Sequence, residues 1–278
     1  LRQLYYQFVA RVLLLNLEKS YNQLGYIIND ARLAGLLDWD YIVDRTRMVR
    51  SNSHWDGPDD IINSAAKSYY LDKWDTQPFR LECWIEKDAL LGTIEGVCRN
   101  NDIGYFSCRG YASQSEVWSA AWRRFRHYLM RGQKVVVLYL GDHDPSGIDM
   151  PRDIQERLSL FLANTGTITV ERLALSSDQI RNRNLPPNPT KLSDSRAARY
   201  VQQYGNNSWE LDALPPNVLA DLVGVAINTY RDITKWASAV KLEEEDRLLL
   251  RGAASRWNEI RELLEADSAQ INTLPGTW

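Results

Sequence analysis

Apolar residues recur at helical spacing over 4–15 and again over 21–37, with Asn16 and Ser20 able to cap between the two stretches. A third short helix is expected to start at Asp38 and cover 39–43, and the polar run 45–57 suits a wing or loop. This outline predicts a helix-turn-helix or winged-helix-like module in residues 1–75. After Pro58 the pattern changes. A helix over 59–74 leads past Pro78 into an alternation: strand 81–86, helix 88–99, strand 103–107, helix 115–130, strand 134–140, helix 146–162 and strand 167–173. Strands alternating with helices at this spacing predict an α/β domain, a mostly parallel sheet with helices on both faces, over 76–215. A Pro/Asn-rich loop is expected over 176–190, then a helix over 193–204 and a strand over 209–214. The remainder, 216–278, reads as a helical extension in which Leu250, Ala253, Trp257, Ile260 and Leu264 share one face.

With 278 residues and 44% apolar content the chain can bury a sizeable core. A net charge of −3 gives no global signature of nucleic-acid binding, so any such surface must be local. Three cysteines, Cys83, Cys98 and Cys108, lack C-x-x-C spacing and argue for a reducing cytoplasm rather than a disulfide framework or a zinc site. No apolar run approaches the roughly 20 residues that span a bilayer. The chain begins at Leu1 rather than Met, so residues upstream of it are expected. Ten tryptophans supply aromatic surface for a core, an interface or base stacking.

The chemistry concentrates where the run Lys134-Val-Val-Val-Leu-Tyr-Leu140 ends in Gly-Asp142-His-Asp144-Pro-Ser-Gly147. A buried parallel strand delivers its C-terminal end to the crevice where ligands bind. Two acids two residues apart on extended chain point the same way and repel one another, and a hard cation such as Mg²⁺ or Mn²⁺ relieves that repulsion. The alternative is that Asp-x-Asp-Pro simply caps the next helix. His143, between the acids, is expected to face away from them.

This segment resembles the D-x-D-x-x-G motif of Toprim domains. Its Asp144-Pro-Ser-Gly-Ile148 form is most similar to the A subunit of type IIB topoisomerases (topoisomerase VI) and the related meiotic double-strand-break protein. Trp84-Ile-Glu86-Lys87 stands where Toprim domains place a glutamate at the end of their first strand. Cys108-Arg109-Gly110-Tyr111 and Glu210-Leu-Asp-Ala-Leu214 look like two further stretches of that subgroup. The resemblance implies Glu86, Asp142 and Asp144 as metal-binding catalytic carboxylates. It also extends to Arg2-Gln-Leu-Tyr5-Tyr6, which matches an Arg-x-x-Tyr-Tyr motif and implies Tyr6 as a nucleophile, with Arg2 or the metal favouring its phenolate. A plain apolar helix face built from Leu4, Tyr5, Phe8, Val9 and Val12 accounts for the same tyrosines by packing.

Basic residues gather at Arg123, Arg124, Arg126, His127 and Arg131, and again at Arg181, Arg183, Lys191, Arg196 and Arg199. Such clusters neutralise phosphates or simply solvate helix ends. Arg123, Arg124, Arg181 and Arg183 from these clusters, with Arg2 and Arg109 from the stretches that carry the resemblance, are the candidate DNA contacts. No G-x-x-x-x-G-K-[ST] loop occurs, so ATP dependence would need a separate ATPase subunit. The expected activity is Mg²⁺-dependent cleavage of DNA phosphodiesters by a homodimer. Transesterification by Tyr6 and a non-catalytic DNA-binding scaffold are the alternatives.

Overall fold

The structure, a computed structural model, describes residues 1–38, 41, 52–163 and 165–272. In chain order its elements are α1 (Arg2–Ala10), α2 (Glu18–Leu33), α3 (Pro58–Ser68), β1 (Phe79–Ile85), α4 (Leu91–Asn100), β2 (Gly104–Ser107), α5 (Gln114–Ala120), α6 (Arg126–Met130) and β3 (Lys134–Leu140). There follow α7 (Pro145–Leu162), β4 (Ile168–Ala174), α8 (Ser177–Arg183), β5 (Asn188–Pro189), α9 (Ala197–Tyr204), β6 (Asn207–Ser208), α10 (Pro216–Tyr230), α11 (Ile233–Ser255) and α12 (Trp257–Asn272). The third helix expected over 39–43 lies almost wholly outside the described residues, and the wing expected over 45–57 is described only from Asn52, as irregular chain.

The chain forms two compact units, one from Leu1–Asp44 with Gln77–Arg231, the other from Arg45–Thr76 with Asp232–Trp278. The first is an α/β unit whose four parallel strands run in the order β2-β1-β3-β4. The apolar runs of β1 and β3 need cover on both sides, as central parallel strands do. On one face Trp84, Val135, Val137 and Tyr139 pack with Val117, Phe125, Ile154 and Leu158 from α5, α7 and the helical turn that precedes α6. On the other, α4 packs against β2 and against α10, which itself reaches β1 and β4. Helix α1 packs against a 3₁₀ turn at Leu211–Ala213, and Gln3 bonds Thr93 at 3.1 Å, so this helix is part of the α/β unit.

In the second unit α3 packs against α11. The buried Glu243 carboxylate accepts from the Leu71 N–H at 2.9 Å and pairs with Lys73 and Arg247, while Trp74 meets Trp236 edge-on at 5.7 Å.

Several expected elements differ in the structure. The strand expected over 209–214 is a single bridge at Trp209 followed by the 3₁₀ turn, because its groups bond the carboxylate region of Asp142 instead of a sheet edge. Within the loop expected over 176–190 lies α8, started by a capping box in which Ser176 and Gln179 each bond the other's backbone N–H. The helix expected over 59–74 ends at Ser68. The continuous helical extension is broken twice: Asp232 caps α11 by accepting from Thr234 and Lys235, and Arg256 separates α11 from α12, interrupting the stripe of Leu250 to Leu264.

Leu138 is fully buried at the centre of β3. Leu138→Ala is expected to lower unfolding free energy by about 2–5 kcal/mol, since a central strand flanked by two others has no room to collapse into the cavity. Denaturant titration followed by circular dichroism measures it.

Candidate metal centre

Strand β1 leads to β2 on one side of it, and the chain then crosses back so that β3 lies on the other side. The adjacent C-terminal ends of β1 and β3 therefore border the crevice in which α/β sheets bind ligands. The Glu86 N–H continues the pairing beyond the strands by donating to the Leu140 carbonyl at 2.8 Å. Beyond β3 the backbone is held from below by Arg172 of β4, whose buried guanidinium donates to the carbonyls of Asp142 (2.6 Å), Leu175 (3.1 Å), Gly141 (3.3 Å) and Gly147. Gly147 sits so close that an added Cβ would lie 2.2 Å from the Asp142 carbonyl oxygen. This is a close approach that any other residue would obstruct.

Among the described residues the His143 ring bonds hydroxyl groups rather than the acids beside it. One ring nitrogen meets the Tyr200 hydroxyl at 2.8 Å and the other the Ser177 hydroxyl at 3.2 Å. Its backbone has a second task. His143 and Trp209 exchange both N–H···O bonds in an antiparallel bridge, at 2.8 and 2.9 Å. That bridge lays residues 210–212 beside Asp142, whose Oδ1 accepts from the Leu211 N–H at 2.7 Å. Asp142, Glu210 and Asp212 consequently each offer an oxygen within 4.8 Å of the others, and this buried acidic cluster is able to bind a metal ion.

The Lys87 ammonium stands among these acids, 2.8 Å from Asp142 Oδ1, 2.7 Å from Asp212 Oδ2 and in closer contact with Glu210. Arg2 reaches in from α1 to Glu210 at 3.3 Å and Asp212 at 3.6 Å. Asp212 has no solvent exposure, and its Oδ1 has no hydrogen-bond partner among the described residues.

Of the carboxylates singled out in the sequence, Asp142 alone joins this cluster. Glu86 lies beside it, its Oε2 accepting from the Asp142 N–H at 2.9 Å. Asp144 caps α7, its Oδ1 accepting from the Gly147 N–H at 2.6 Å and the Ser146 hydroxyl at 2.9 Å. The capping alternative thus describes Asp144, while Asp142 has other work. Tyr6 is buried, with the Arg2 guanidinium 5.6 Å from its ring centre, whereas the neighbouring Tyr5 hydroxyl is spent on the 15–17 turn. Among the candidate DNA contacts, Arg124 is paired with Glu82 at 2.6 Å, Arg109 with Asp88 at 3.4 Å, and Arg181 with Asp178, while Arg123 and Arg183 are exposed. Sequence reasoning did not assign Glu210, Asp212, Lys87 or Arg172. The only signal for Arg172 is a charged Glu-Arg pair inside an otherwise strand-like run.

Burial pushes the Asp142 carboxyl well up, against the pull of Lys87 and with the help of Glu86. Glu86 is also raised by burial, opposed by the Asp142 N–H and reinforced by Asp144. Burial works in the same sense on Glu210, but Lys87 and Arg2 outweigh it and its pKa is lowered. The Tyr6 phenol is raised by burial and by Glu210, with Arg2 and Lys87 opposing. Burial and Arg172 push His143 down to about 4, so it is neutral near pH 7.

No protein-family model matches the chain, and neither a curated protein nor a solved structure does.

Lys87→Met is expected to cost about 3–5 kcal/mol, because it strands buried carboxylates without their cation. Calorimetric unfolding reads this directly. A second expectation follows from the raised Glu86. An acid whose folded pKa exceeds its unfolded value opposes folding increasingly as pH rises from the unfolded value, about 4.3, through the folded one. Glu86→Gln, which can still accept from the Asp142 N–H, should therefore gain stability relative to the parent as pH rises above about 4.3. Parallel denaturant titrations across that range test the sign.

Proposed function

We propose that this chain is a divalent-metal-dependent enzyme that cleaves DNA phosphodiester bonds. The observation that carries the reading is the convergence of Asp142, Glu210 and the fully buried Asp212 at the switch point of a parallel sheet, with one Asp212 oxygen left unsatisfied. An all-oxygen, carboxylate-rich donor set suits a hard cation such as Mg²⁺ or Mn²⁺. Asp142, Glu210 and Asp212 would hold it, with Glu86 adjoining. Such an ion supplies Lewis-acid stabilisation of the charge that develops on a phosphate in transfer.

The chain's own residues do the rest. Glu86, kept prone to protonation by burial, is suited to hold or pass a proton beside Asp142. Lys87 and Arg2 set the charge of the acidic ring and are able to neutralise an incoming phosphate oxygen. The strand order and the acids ending β1 and β3 support reading this unit as Toprim-like, with α1 and α2, which are part of it, as the helices that would contact DNA. A cut through both strands would use two copies of the chain, one site per strand. Coupling to ATP would fall to another subunit.

Transesterification by Tyr6 is the second reading, favoured by its position in the electrostatic reach of Arg2, Lys87 and Glu210. Its oxygen would bond to phosphorus as the 3′-oxygen departs with a proton. The raised phenol pKa leaves it protonated near pH 7, which ranks attack by water ahead of it.

Supercoiled plasmid should be nicked or linearised with Mg²⁺ or Mn²⁺ and left intact in EDTA. Asp142→Asn and Asp212→Asn should each lose about 10²–10³-fold in rate, the scale of removing one charge-stabilising group. Both should also lose the rise in melting temperature that the metal gives the parent. Full cleavage by Asp212→Asn, with contaminating nuclease excluded, overturns the reading. Ends that migrate freely only after proteinase, and vanish in Tyr6→Phe, would establish transesterification instead.

A further inference from the structure

The segment joining α5 to α6 is a π-helical turn, Ala121–Phe125. Its inward face is fixed by Val117, Ala120, Ala121, Phe125 and Leu129, all buried in the core. On the outward face Trp118 and Trp122 are left 42% and 43% exposed. Their rings lie nearly parallel, 27° apart with centroids at 6.2 Å. The wider turn brings residues five apart together, so the Arg123 guanidinium sits 6.0 Å from the Trp118 ring centre, while Arg126, four residues on from Trp122, lies 4.6 Å from that ring. Among the described residues neither guanidinium has a carboxylate partner, and both are exposed. Two acids of the adjoining elements have other partners: Glu82 bonds Arg124 and Trp84, and Glu116 accepts from the Ser113 N–H. Trp118 and Arg123 also wall a cleft of about 520 Å³ whose lining includes Phe161.

Two half-exposed indoles are expensive to leave in water. Core packing explains Phe125 and Val117 but not these rings, which point out of the core they adjoin. Arginine stems alone would shield them with any charge pattern, yet here the cations stand unpaired in a chain that is acidic overall. Flat aromatic faces edged by free cations are what unpaired bases on a phosphate backbone need: stacking supplies affinity without sequence preference, and guanidinium groups neutralise the phosphates. A duplex, with its bases already stacked on each other, offers no such face.

We propose that Trp118 and Trp122, flanked by Arg123 and Arg126, form a stacking site for single-stranded DNA, separate from the acidic cluster. The choice of DNA over RNA rests on the cleavage activity proposed above; the preference for an unpaired strand does not.

The test is fluorescence anisotropy of the full chain with a labelled oligothymidylate of about 20 nucleotides, longer than the ~4–16-nucleotide sites of single-strand binders. EDTA and low salt keep metal chemistry out of the measurement. The parent is expected to bind this strand more tightly than a duplex of equal length. A Trp118→Ala/Trp122→Ala chain should bind about tenfold or more weakly. Arg123→Gln/Arg126→Gln, which keeps both rings, should also weaken binding and make the logarithmic salt slope shallower by about 1–1.5, two phosphate contacts at roughly 0.7 each. Because EDTA excludes metal-dependent cleavage, the binding result stands whether or not the plasmid assay shows cutting. Parent-like binding by the double tryptophan chain, or a parent that prefers duplex or oligouridylate, overturns the proposal.

Discussion

Everything at the end of this sheet is arranged around one ammonium group. Lys87 is mostly buried, and so are the acids it touches, Asp142, Glu210 and Asp212. Charges removed from water lose several kcal/mol of solvation each, and only close opposite charge and hydrogen bonds offset that loss. The carboxylates cannot be brought together without the lysine, and the lysine cannot be buried without them. Because these groups come from the end of β1, the end of β3 and the 210–212 turn, their mutual need fixes three segments that are distant in sequence. Arg2 adds a fourth, drawing α1 against the same acids.

The scaffold beneath them is built to yield little. Arg172 ties together carbonyls of the chain beyond β3, of α7 and of the chain beyond β4, and Gly147 admits α7 to backbone contact with Asp142. Neutral His143 anchors its strand end through Tyr200 and Ser177 while its backbone recruits Trp209. Rigid support of this kind matters because a divalent ion is held well only where several oxygens are already close and their repulsion has been met in advance. Lys87 now meets that repulsion and contacts all three acids, so a divalent ion would have to displace its ammonium from them, and the unsatisfied Asp212 oxygen is the donor that the lysine leaves unused.

Two kinds of surface therefore coexist on the α/β unit. One is buried, acidic and assembled from segments far apart in the chain. The other is exposed, aromatic and basic, and comes from a single helical stretch, Trp118 to Arg126. The first suits chemistry on a phosphate, where few groups must be exact. The second suits holding a strand, where affinity comes from broad faces and tolerates variation.

Local pattern was enough to read the alternation of strands and helices in the α/β unit. The apolar runs at Leu81 and Val135 are too long to be exposed, and their periodicities differ enough from those of the helices to be recognised one segment at a time. The same pattern marked Asp142, because an acid at the end of a buried strand has few structural excuses. One local signal misled: Glu210 to Leu214 reads as a strand, although its groups turn toward Asp142, while Asp144 caps α7 through one of its oxygens. Only folding settled the company Asp142 keeps. Glu210 and Asp212 reach it through the His143–Trp209 bridge, a pairing between residues 66 apart in the chain that no periodicity encodes. Lys87 became the centre of the cluster because charge burial is decided by the sum of neighbours in space, and that sum does not exist until the chain has folded.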